Sequence, residues 1–189
     1  MPSSPPMDRK PWPPSCQLLT QELPRESWTT HPHYTGLIRF WLSRHNGFRK
    51  KMLRLQGETK TMLETMDDPA GFAHSMHQEA GFLINGLKGH HQIEDQHFFP
   101  LLKNLDDRAR KGFAILESDH LMVDHLLGKF SQHTHSLLYE SAQKEEFEKQ
   151  AACLLESLEN LQAYLNRHLE DEEDIVVPVL LKYAPDDIR

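Results

Sequence analysis

From Phe147 to Val179 the candidate inward positions are Phe147, Ala151, Leu154, Leu158, Leu161, Leu165, His168, Glu172, Ile175 and Val179, in steps of three and four residues. Such a stripe runs along one side of an α-helix, and its apolar members need other elements to cover them. The chain is therefore constrained to pack helices side by side. Two members of the stripe, His168 and Glu172, are polar, and an unpaired buried carboxylate costs several kcal/mol, on the order of 2–7 for a polar group, or is driven to protonate.

Three earlier segments carry the same period. A helix over about 37–66 presents Leu37, Trp41, Phe48, Met52, Leu55, Met62 and Met66, with His45 on the same stripe. Asp67-Asp68-Pro69 reads as a capping acid with proline at the first helical position, opening a helix over about 69–105. Its stripe is Phe72, Met76, Leu83, Leu87, His90, Glu94, Phe98, Leu101 and Leu105, and Pro100 should kink or loosen it just beyond Glu94. Asp106-Asp107 reads as the cap of a third helix over about 107–138, striped by Phe113, Leu116, His120, Val123, Leu127, Phe130 and Leu137. Residues 138–143 form the loop before the fourth helix, over about 144–183. The expected fold is all-α: an up-down-up-down antiparallel four-helix bundle over residues 35–185. Eight of the twelve prolines fall in residues 1–32, so residues 1–34 read as an irregular, Pro-rich N-terminal arm without secondary structure.

The second and fourth helices repeat one pattern: His, three residues, Glu, an acid, four residues, Pro, in His90 to Pro100 and in His168 to Pro178. Each follows a helix with one striped histidine, His45 or His120, which implies an internal duplication. A lone HxxxE pair is commonly solvated. Two copies with matching acid and proline offsets, both on core stripes with no Lys or Arg among them, call for a different partner. Divalent cations fit, because neutral imidazoles and carboxylates are their ligands. His45, His90, Glu94, His120, His168 and Glu172 suffice for a dinuclear centre with shared carboxylates, iron before manganese or zinc. His91, about 100° round the helix from His90, could reach the second ion. Asp124, one turn after His120, could bind directly or orient a ligand. Asp95, Asp171 and Glu173 read as acids that orient ligands or face solvent.

Other classes fit less well. A net charge of -7 with interspersed acids and bases excludes the basic footprint of a nucleic-acid binder. No apolar run reaches the roughly 20 residues needed to cross a bilayer, and residues 1–6 lack the apolar core of a secretory signal, so a cytoplasmic location is expected. The two cysteines, Cys16 and Cys153, have no metal-site spacing.

The order H, HxxxE, H, HxxxE resembles the hemerythrin family, particularly the bacterial hemerythrin-like HHE cation-binding domains, over about residues 35–183. Local wording agrees in His45-Asn46-Gly47-Phe48-Arg49, His90-His91-Gln92-Ile93-Glu94-Asp95 with Phe99-Pro100, Ser118-Asp119-His120 with Val123-Asp124, and His168 with Glu172-Glu173 and Pro178. The resemblance implies a non-haem di-iron centre with an oxo or hydroxo bridge and bridging carboxylates, Glu94 and Glu172. Asp124 and the second HxxxE depart from the classical oxygen carriers and resemble the HHE branch. The leading expectation is a protein that binds dioxygen, nitric oxide or peroxide at the di-iron centre. The alternatives are a di-iron enzyme, an oxidase or oxygenase or a reductase of nitric oxide or peroxide, and an iron or redox sensor. A carboxylate ligand at Asp124 would favour the enzyme.

Overall fold

The computed structural model describes residues 12–140 and 143–184, whose regular structure is helical, with no strand among them. Two short helices, α1 (Pro14–Glu22) and α2 (Arg25–Trp28), precede α3 (Gly36–Thr65) and α4 (Pro69–Ile93). A π-helical turn, Glu94–Phe98, leads into α5 (Phe99–Leu102), followed by α6 (Arg110–Glu140) and α7 (Lys144–Tyr183). The chain divides into two compact units. One takes the chain up to Asn46, His91–His120 and the chain from Asn166 onward; the other takes Gly47–His90 and Leu121–Leu165. Among the described residues no helix is long and apolar enough to cross a membrane.

The long helices follow the apolar stripes. All the apolar stripe residues of α7 are buried, as are Trp41, Phe48, Met52, Leu55 and Met62 of α3 and Phe113, Leu116, Val123, Leu127, Phe130 and Leu137 of α6. Asp68 caps α4 as expected, its Oδ1 accepting the Gly71 N–H at 3.0 Å. A Cβ on residue 71 would lie 2.0 Å from Asp68 Oδ2, so the cap depends on glycine there. The start of α6 differs from expectation. Asp106 accepts from the Arg108 N–H at 3.0 Å and from Arg108 Nη2 at 2.6 Å, forming a local turn, and the helix begins at Arg110. The Arg108 guanidinium holds the Asp106 carboxyl down to about 2.

The π turn accounts for a second difference. The Phe99 N–H donates to the Glu94 carbonyl, five residues back, just ahead of Pro100, which has no N–H to give. One extra residue per turn advances the stripe by one position. Phe99 and Leu102 are fully buried, whereas Leu101, expected inward, is 45% exposed. Pro178, at the matching offset, lies inside an uninterrupted α7.

The expectation of an N-terminal arm without secondary structure is corrected. Pro14 takes the first-turn position of α1, where a missing N–H costs nothing, and Pro24 is the extended residue preceding α2. Residues 1–11 of the arm lie outside the described residues, as do 141–142 of the expected loop and the chain from 185 onward. Cys16, Leu19 and Trp28 join the core cluster that contains Ile175, Val176, Val177, Val179, Leu180 and Leu181. The end of α7 is apolar on every side, and a helix of that kind requires cover all round. The arm supplies part of it.

Candidate metal centre

The helical stripes bring two groups of metal-ligand side chains together. Within each, one donor atom per residue lies within 4.8 Å of the others: His91, His120 and His168 in one, and His45, His90, Glu94 and Glu172 in the other. His90 and His91 are neighbours on α4, and the roughly 100° between successive side chains sends them to different groups. The rings of the first group crowd closely. His91 stacks on His120 with centroids 4.1 Å apart, and His168 meets His120 edge-on at 4.9 Å.

Glu172 faces both groups. Its Oε1 lies 3.4 Å from His45 Nε2 and its Oε2 lies 3.6 Å from His168 Nε2. Glu94 of the second group has Oε2 3.6 Å from His120 Nε2 of the first. These separations exceed hydrogen-bond lengths, and they are of the size that an ion between the donors would produce.

The other nitrogen of each single histidine is held by an acid. His45 Nδ1 lies 3.0 Å from Glu173 Oε1, and His120 Nδ1 lies 2.8 Å from Asp95 Oδ1. In both halves the holding acid directly follows the motif glutamate that faces Nε2. A carboxylate on Nδ1 fixes the tautomer and aims Nε2 inward, as is usual for metal-bound histidines. The Trp41 indole N–H donates to Glu172 Oε1 at 2.5 Å.

Electrostatics set the terms for what the site can hold. Burial, together with the charge of Glu172 and Asp95, pushes the Glu94 carboxyl well above the usual carboxylate range. Burial works to lower His45, but Glu172 and Glu173 outweigh it and raise the imidazole to about 9. His168 is 1% exposed, and neither of its ring nitrogens has a hydrogen-bond partner. A buried ring lacking such partners, two facing buried carboxylates and an all-imidazole and carboxylate donor set fit divalent cations.

The family model for the hemerythrin HHE cation-binding domain matches residues 36–180. This chain belongs to that family. No curated protein and no solved structure gives a significant match.

Of the residues singled out in the sequence of this hemerythrin domain, His45, His90, His91, Glu94, His120, His168 and Glu172 fall in the two groups. Asp124 does not: it is exposed and lies in neither group. The stripe of α6 steps by three after His120, to buried Val123, which turns the fourth position outward. The buried carboxylate on this helix is Asp119, whose Oδ2 lies 3.7 Å from His168 Nδ1. This proximity was not anticipated from the sequence, where the signal was the place of Asp119 directly before a striped histidine. Nor was the Trp41 hydrogen bond, although the residue stands one turn before His45.

Proposed function

We propose that this chain holds two iron ions, one at each group, and binds dioxygen or a related small molecule, nitric oxide or peroxide, between its helices. The observation that carries the reading is Glu172, whose two oxygens face His45 of one group and His168 of the other. A carboxylate so placed is suited to two ions at once. Iron, when bound, supplies redox-active Lewis acids that can take up such a ligand.

The residues divide the remaining work. Glu173 and Asp95 hold the Nδ1 atoms, and Trp41 holds one oxygen of Glu172. One group has three imidazoles plus the shared carboxylates, and the other two imidazoles plus the same carboxylates. The second offers fewer protein donors, so it is where the small ligand enters. Trp41, Phe98 and Phe99 keep bulk water away: Trp41 and Phe98 meet edge-on at 4.8 Å, and Phe99 stacks on His120 at 5.5 Å. With Asp124 exposed, the carboxylate that would have favoured a di-iron enzyme, oxidase or reductase, belongs to neither group. Ligand binding is the better-supported reading.

The proposed architecture is an up-down-up-down four-helix bundle. Four long helices in succession, α3, α4, α6 and α7, each burying an apolar stripe, support it. The functional test is an optical spectrum of the reduced, iron-loaded protein before and after oxygen. A new charge-transfer band that persists and reverses on deoxygenation supports binding. A band that decays as oxygen and reductant are consumed supports an enzyme, and no change with oxygen or nitric oxide contradicts both.

A further inference from the structure

The fold treats the two histidine-holding acids differently. The Asp95 side chain is 40% exposed, whereas that of Glu173 is 5% exposed and lies beneath Arg25. Arg25 Nη1 donates to Glu173 Oε2 at 2.9 Å, while Glu173 Oε1 is 3.0 Å from His45 Nδ1. One carboxylate therefore has one oxygen on a guanidinium and the other on an imidazole whose Nε2 faces Glu172. Arg25 is itself well held. Its Nε donates to Asp174 Oδ1 at 2.7 Å, its Nη2 to the Glu170 carbonyl at 3.0 Å, and its guanidinium lies 5.2 Å from the centre of the Trp28 ring. Trp28 is buried and donates its indole N–H to the Leu23 carbonyl at 2.9 Å. Arg25 and Trp28 belong to α2, which precedes the residues the family model matches.

We propose that Arg25 is a positioning residue for the metal centre: by fixing Glu173 it fixes the His45 imidazole, so that the N-terminal arm tightens one of two ion positions. A guanidinium forks rigidly across its acceptors, and a carboxylate held at one oxygen keeps the other in place. The rotation of the His45 ring is thereby set from α2 through Glu173. The inference rests on the reading that the two groups hold ions.

The test is anaerobic titration of the full chain with iron(II), read by calorimetry as stoichiometry and stepwise affinity. Arg25→Gln should still take up two ions, with one step weakened about tenfold or more, the usual consequence of losing a ligand's supporting partner. Glu173→Gln should weaken the same step, and the double variant should be no weaker than Glu173→Gln alone. Glu22→Gln cuts ion pairs of the same arm, to Arg108 and Lys182, without touching Arg25 or Glu173, and should change neither step by more than about twofold. Equal losses in Arg25→Gln and Glu22→Gln, loss in both steps alike, or an unchanged Arg25→Gln would overturn the proposal. Wild-type protein that fails to bind two ions removes the underlying reading; two ions with an unaffected Arg25→Gln removes only this one.

Discussion

The Trp41 indole N–H points at Glu172 Oε1 across 2.5 Å, joining α3 to the carboxylate that faces both ligand groups. Trp41→Phe keeps the ring and deletes the donor. Hydrogen bonds to charged groups are worth about 1.5–3 kcal/mol, and the metal-free variant should lose an amount in that range in urea denaturation. Unchanged stability would show that the bond contributes nothing.

The metal-free protein should be most stable in mildly acidic solution. Glu94 is raised above its ordinary 4.5, so its contribution is complete below that value and is lost as pH rises. His45 has the same sign, its contribution present below 6.5 and lost through about 9. Asp106 has the opposite sign, its contribution present above 3.8 and lost as pH falls through about 2. Urea midpoints across pH test this; a midpoint that climbs from pH 6 to 9 would contradict it.

The arm should behave as core. Leu19 is fully buried, and Leu19→Ala should cost about 2–5 kcal/mol, the range for emptying a packed leucine site. A loss below about 0.5 kcal/mol, typical of surface substitutions, would mean that α1 is dispensable.

Asp124→Ala should leave metal content unchanged, since the residue is exposed and outside both groups. Asp119→Ala should weaken binding about tenfold through His168, which lies 3.7 Å from it. The reverse ranking in a metal competition assay would restore Asp124 as a ligand.

The long helices and most of the ligand set could be read from the chain because core stripes have a period, and a histidine or glutamate on one stands out. Asp124 misled because a spacing of four faces inward only where the stripe itself steps by four, and after His120 it steps by three. The shift from Leu101 to Leu102 was hidden because Pro100 announces a disturbance without saying which residue the π turn inserts. Helices α1 and α2 are too short for a periodic signal, and their prolines resemble loop. The link from Arg25 to Glu173 has no local pattern at all, since it joins residues 148 apart.

The central claim is that Glu94 and Glu172 serve two ions together. Metal analysis of protein purified without added metal, beside Glu94→Gln and Glu172→Gln variants, tests it most directly. Wild-type protein should carry about two ions per chain, mostly iron, and each variant should lose paired binding, with His133→Ala as an unaffected control. A wild type without iron, manganese or zinc near that ratio, or variants that retain it, would rule out a shared two-ion centre at Glu94 and Glu172.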